Sequence, residues 1–141
     1  MCLQNPNKKM SKSGNEKDYI GLLDAQEQIK TKIMSAVTDR DKKIRYVPDT
    51  KPGISNLLTI YSGFSKKPIQ AIEKEFSGKG YAEFKKSLVK LLIDSLQPFR
   101  SAQEEISKKE IKTILNDGSK RARKIAQATM LQARKNMGLT R

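Results

Sequence analysis

Near its amino end the chain carries Lys9-Met10-Ser11-Lys12-Ser13, followed at once by Gly14-Asn15. Ammonium groups and hydroxyls this close together make a donor set for anions, phosphate above all. Lysine is a mobile point charge, and the hydroxyls and free N–H groups of a glycine-terminated loop add directed donors. On composition alone a solvated basic stretch would read the same way. The segments downstream decide between the two. No histidine is present and Cys2 is the one cysteine, so imidazole catalysis is excluded and no zinc site can be built from soft ligands. No metal-binding residues are therefore expected. The lone thiol has no internal disulfide partner and fits a reducing cytosol, the expected compartment.

A length of 141 residues suits one ordinary domain, or one domain plus a fragment of another. The 29 basic against 15 acidic side chains leave a net charge of +14, which points to a polyanionic partner. Nucleic acid is the first candidate. A spanning helix would need ~20 apolar residues in a row, and no run approaches that, so no membrane partner is expected. The opening MCLQNPNKK lacks the apolar core of a secretory signal.

The elements that must position the basic loop read as mainly α. Residues 1–23 read as loop. A helix is expected from Asp24 as its cap, with Glu27 reaching back as a capping box, Ile29, Ile33 and Ala36 on one face, and Lys30 and Lys32 pointing elsewhere. Residues 39–53 are polar and turn-rich, with a short extended segment expected at Ile44–Val47. Ile54, Leu57, Leu58 and Tyr61 then fall at helical spacing, with Gly63 as the stop. A short helix follows with Pro68 in its first turn, burying Ile69, Ile72 and Phe76 and ending at Gly78-Lys79-Gly80. Tyr81, Phe84, Leu88, Leu91, Leu92, Leu96 and Phe99 line what should be the longest helix, which Pro98 should kink or end. Ile106, Ile111, Ile114 and Leu115 continue an apolar face. Asn116-Asp117-Gly118 should break it before a last helix to Met137, stopped by Gly138 and burying Ala122, Ile125, Ala126, Thr129 and Ala133. These stripes describe a helical-bundle core and no activity. Lys85, Lys86 and Lys90 flank the long helix, and Lys120, Arg121, Arg123, Lys124, Arg134 and Lys135 crowd the last one. Their summed charge, more than any one of them, attracts polyanions.

Three separated segments carry a resemblance. Lys9-Met10-Ser11-Lys12-Ser13 matches the KMSKS signature of class I aminoacyl-tRNA synthetases. Ile44-Arg45-Tyr46, then Lys51-Pro52-Gly53-Ile54-Ser55-Asn56-Leu57-Leu58, and Gly78-Lys79-Gly80-Tyr81 with Phe84-Lys85 look like the bacterial-type tryptophanyl-tRNA synthetases. A lone KMSKS is shared by many synthetases; with KPGISNLL and GKGY in this order it singles out the tryptophan branch. The resemblance runs from Leu3-Gln4-Asn5-Pro6 to Met137-Gly138-Leu139. It covers the C-terminal portion of that family, without the upstream Rossmann-type half whose HIGH-type histidines help hold ATP.

The resemblance implies a loop remnant of a Rossmann-type catalytic domain with its following helix over 1–38. It implies a helical, anticodon-side domain over 39–141, whose last helix packs back on the catalytic domain. It also implies ATP-dependent activation of tryptophan and its transfer to tryptophan tRNA, in a full-length homodimer, with tryptophan held through the missing half and this chain inactive alone. In that chemistry Lys9 and Lys12 reach the leaving phosphates of ATP, with Mg²⁺ sharing the charge, Ser11 and Ser13 hydrogen-bond phosphate oxygens or brace the loop, and Met10 anchors it. Arg45, Lys51, Lys120, Arg121, Arg123 and Lys124 are candidates for RNA phosphate contacts. The rival reading is a freestanding helical RNA-binding module with a vestigial loop. A truncated, partly misfolded product with exposed apolar surface is the bland third option.

Overall fold

A computed structural model describes residues 1–41 and 43–139. Among the described residues there are helices and no strands. A 3₁₀ turn at Glu16–Asp18 precedes α1 (Gln26–Ser35), α2 (Pro52–Ser65), α3 (Ile69–Glu75), α4 (Tyr81–Glu105) and α5 (Lys108–Asn136). Packing divides the chain into two compact units, Met1–Arg100 and Ser101–Arg141.

The first unit is built on one apolar core. Ile29 and Ile33 of α1, Ile54, Leu57 and Leu58 of α2, Ile72 of α3, and Phe84, Leu88, Leu92 and Leu96 of α4 are all essentially inaccessible to solvent, as is Leu3 ahead of the basic loop. Each recurs at helical spacing, so burying one face per helix closes the core. Tyr61, Phe76 and Phe84 add an aromatic cluster with centroids 5.0 to 5.6 Å apart, a geometry that adds favourable edge-to-face terms to area burial. α2 starts with Pro52 in its first turn, where a missing N–H costs nothing. Its next residue, Gly53, lies so close to the preceding loop that an added Cβ would sit 2.5 Å from the Val37 carbonyl oxygen.

Several local expectations need correction. Asp24 does not cap α1: its carboxylate accepts from the Gly21 N–H at 2.9 Å and from Lys32 Nζ at 2.7 Å. Gln28, not Glu27, reaches back, accepting the Ala25 N–H at 2.8 Å, while Glu27 pairs with Lys30. Lys32 is accordingly buried between Asp24 and the Tyr19 ring. Gly63 does not end α2; it has open space around it, the helix runs on to Ser65, and Lys66 takes the left-handed conformation at φ 58°. Ile44 is buried, but no strand forms over 44–47. α4 passes through Pro98 without ending there, because proline removes only one bond of the ladder and the apolar face leading up to it is held in the core through Leu92 and Leu96. Phe99 lies off the buried stripe and is exposed.

In the second unit, α5 is one continuous helix through Gly118 and, at 29 residues, exceeds the 25 of α4. A single helical glycine costs only about 1 kcal/mol, too little to break so long a ladder. Ser107 opens α5 with a reciprocal cap: its Oγ accepts the Glu110 N–H at 3.2 Å, and Glu110 Oε2 accepts the Ser107 N–H at 2.8 Å. Gly138, at φ 69°, closes it, the Leu139 N–H bonding the Arg134 carbonyl and the Gly138 N–H that of Lys135. The face expected to be buried is bare. No residue of α5 is buried, and Ile114, Leu115 and Ile125 are each about two-thirds exposed or more (67%, 65% and 71%).

Candidate functional site

The basic pentapeptide sits on an excursion from Gln4 to Lys17 whose neck is fastened to the core. The Leu3 N–H bonds the Asp18 carbonyl at 2.9 Å, closing the excursion, and the Leu3 carbonyl accepts the Val37 N–H at 3.0 Å. Leu3 itself is buried. Asn56, a buried polar residue in the first turns of α2, donates from Nδ2 to the carbonyls of Met1 (3.1 Å) and Cys2 (3.3 Å). Thus the KPGISNLL segment supplies both an apolar face and the polar clamp on the chain entering the loop.

Inside the excursion the bonds are local and weak in number. The Cys2 N–H reaches the Lys8 carbonyl and the Lys8 N–H the Asn5 carbonyl, each at 2.9 Å. Ser11 Oγ accepts the Ser13 N–H at 3.3 Å. Asn15 caps the 3₁₀ turn, accepting the Lys17 N–H at 2.9 Å, and Asp18 returns a bond to the Asn15 N–H at 3.2 Å. Lys9, Ser11, Lys12 and Ser13 are exposed, and Met10 is half-buried against the core. Among the described residues neither Lys9 nor Lys12 is held by a carboxylate. The tip therefore offers two unneutralised ammonium groups with hydroxyl and amide donors, an arrangement that can neutralise and orient phosphate oxygens. It presents no carboxylates to a bare divalent cation.

Behind the loop, the contacts of Tyr81 and Lys85 give physical roles to the GKGY and FK segments. Tyr81 Oη lies 3.0 Å from Asp39 Oδ2, 3.2 Å from Asp41 Oδ1 and 3.1 Å from the Lys43 carbonyl, so one proton is shared among three acceptors. Burial, and next the Asp39 carboxylate, push the Tyr81 phenol well above its ordinary value. Lys51 forms an ion pair with Asp41 and donates to the Lys43 carbonyl at 2.8 Å. The Lys51 bond, then the Lys43 N–H, hold Asp41 below the usual carboxylate range. Lys85, expected on the surface, is buried and donates to the carbonyls of Met34 (3.1 Å) and Ala36 (2.7 Å) at the end of α1. Desolvation lowers its pKa, while the negative end of α1 gives the charge a partner.

The RNA-contact candidates fall into separate groups. Arg45 is exposed on the wall of an open cleft of about 940 Å³ in the first unit. Lys51, by contrast, is occupied as a brace and half-buried. Lys120, Arg121, Arg123 and Lys124 are all exposed on α5, with Arg121 paired to Asp117 at 3.1 Å. Sequence reasoning places Asn56, Tyr46 and Lys85 in the family segments without assigning them the clamp, exposed ring and buried tie they form here. A polar residue inside an otherwise apolar helical run was the one available signal, and it pointed to Asn56.

The family model described as tRNA synthetases class I (W and Y) matches residues 1–97. A tryptophan–tRNA ligase of Halalkalibacterium halodurans is 44% identical over all of this chain and 43% of its own length. That of Bacillus subtilis is 42% identical with the same coverage. In three dimensions the chain is similar over its whole length to 45% of the tryptophanyl-tRNA synthetase from Mycoplasma pneumoniae, with a TM-score of 0.73 and 33% identity. The chain thus spans less than half the length of these relatives and corresponds to their C-terminal portion. With the signature loop on a fastened neck and a matching helical body behind it, the chain belongs to the class I tRNA synthetases of the tryptophan and tyrosine group.

Proposed function

We propose that this chain is the loop-bearing C-terminal portion of an ATP-dependent tryptophan–tRNA ligase, with residues 1–38 ending the catalytic domain and 39–141 forming the anticodon-side domain. The observation that carries this reading is the exposed, unneutralised Lys9–Ser13 tip on a neck held by Leu3 and Asn56. When a tryptophan carboxylate attacks the α-phosphate of ATP, charge builds on the departing pyrophosphate. Lys9 and Lys12 meet that charge, Ser11 and Ser13 donate to phosphate oxygens, and Met10 keeps the tip seated. Such a step needs positioning and charge stabilisation, with no covalent enzyme intermediate. Mg²⁺ arrives as part of the MgATP substrate, since the tip's own donors suit phosphate and not a cation.

Transfer to tryptophan tRNA then relies on the helical residues as a grip for the RNA. Arg45 and the Lys120, Arg121, Arg123 and Lys124 cluster hold phosphates, while Lys51 mainly braces Asp41 and the Lys43 carbonyl and contributes charge. The bare apolar stripe of α5 is the surface that packs back on the catalytic half, and the whole enzyme works as a homodimer in the cytoplasm. Binding of ATP and tryptophan needs that upstream half, so the chain alone is expected to be inactive. ATP–pyrophosphate exchange with tryptophan, on this chain and on the chain joined to its upstream half, tests the reading. In the joined protein, Lys12→Ala should cost about 2.7–4 kcal/mol of barrier while tryptophan binding is kept. Unchanged exchange after neutralising both lysines would refute it.

A further inference from the structure

One surface lies outside the loop and the helix cations so far assigned. The cleft of about 940 Å³ runs between the 43–47 segment and α3 with the Gly78-Lys79 turn that follows it. Tyr46 lines it and is 40% exposed, unusual for an aromatic ring on a segment so firmly fixed. The Tyr46 N–H donates to Glu73 Oε1 at 2.6 Å and the Val47 N–H to Ser55 Oγ at 2.9 Å. Tyr81 and Lys51 hold the Lys43 carbonyl at the other end. The wall is preorganised before any ligand arrives.

Its charge is also lopsided. Lys43, Arg45 and Lys74 line the cleft without a carboxylate partner among the described residues. Its two acidic side chains are both engaged, Asp41 by Lys51 and Glu73 by the Tyr46 N–H. An accessible ring on a fixed backbone among free cations suits a ligand with flat π-faces strung on a polyanion. An acidic peptide would use the cations and leave the ring idle. We propose that this cleft receives an unpaired base of a single-stranded RNA segment, with Tyr46 as its stacking surface and Lys43, Arg45 and Lys74 holding the adjoining phosphates. This rests on the reading of the helical part as an RNA grip and names where an unstacked base is held.

Fluorescence anisotropy of the 141-residue chain with a short labelled single-stranded RNA, and with the duplex of the same sequence, tests it. Base–aromatic stacking is worth about 5- to 150-fold in affinity per base, so Tyr46→Ala should weaken single-strand binding within that range. Tyr46→Phe should bind nearly as the parent, and duplex binding should not respond to either change. The bond to Glu73 comes from the backbone, so both variants keep it. Equal binding by the parent and Tyr46→Ala overturns the assignment while the RNA-grip reading stands. Displacement of the RNA by an acidic peptide of matched charge, as readily as by unlabelled RNA, also overturns it. Absence of any RNA binding by the chain would remove both.

Discussion

Replacing Lys85 by methionine should destabilise the first unit severely, by an amount set by the two bonds it loses. The ammonium bonds the carbonyls of Met34 and Ala36, the second of these fully buried. Hydrogen bonds to a charged group contribute about 1.5–3 kcal/mol each, giving a gross loss of about 3–6 kcal/mol. Against this stands the desolvation that lowers the lysine's pKa, which the methionine no longer suffers. The methionine cannot donate, however, and leaving a buried carbonyl unpaired itself costs about 1–3 kcal/mol. The carbonyl loss wins, and the net destabilisation should be about 2–4 kcal/mol. For a unit of this size that is a fall in melting temperature of at least about 8 °C. Urea unfolding followed by circular dichroism reads the free energy directly, and Lys85→Gln, which keeps a donor, should recover part of it. A methionine variant within about 0.5 kcal/mol of the parent, the range of ordinary surface substitutions, would show that the buried ammonium is not what closes the end of α1.

Gly53→Ala would place a methyl 2.5 Å from the Val37 carbonyl; backbone cannot yield as a side chain would, and a loss of about 1–3 kcal/mol should appear in the same urea titration. The cap on α5 should be sensitive to acid. Bonds from the Ser107 hydroxyl, then the Ser107 N–H, hold Glu110 below its ordinary value of 4.5. A lowered folded-state pKa means the stabilisation is fully present above about 4.5, near the unfolded value, and is lost as pH falls through the lower folded value. Helical ellipticity from α5 should drop over that acid window, and Ser107→Ala, which loses the hydroxyl but keeps the N–H bond to Glu110, should shrink the pH response and move it toward the ordinary carboxylate range; a parent and variant with superimposable acid titrations would contradict it.

What sequence made legible was the pattern that repeats. Apolar stripes at helical spacing located Ile29, Ile33, Leu57, Leu58, Phe84, Leu88 and Leu92 correctly, because burial of one face is a property of the residues themselves. The family was legible for a different reason: the loop signature alone is widely shared, but KPGISNLL and GKGY following it in order narrow it. What failed were choices among equivalent local partners. Asp24 had the right chemistry for a cap, yet Lys32 and the Gly21 N–H compete for it in space. Lys85 looked like any surface lysine, since nothing along the chain reveals that the carbonyl end of α1 comes to rest against α4. Gly118 looked like a stop and is not one, because the cost of one glycine is small against a helix of 29 residues. The burial expected for α5 followed from its stripe, but periodicity names a face and never supplies its cover.

The closure of the excursion between Leu3 and Asp18 has a mechanical consequence. A segment free at its base would have to lose the entropy of bringing its ends together each time it seated on a ligand, a cost that grows with the logarithm of its length. Here that ordering is already done in the folded state. What is left to order is a short segment on a base already closed, so less of any attraction between its ammonium groups and an anion is spent on bringing its ends together.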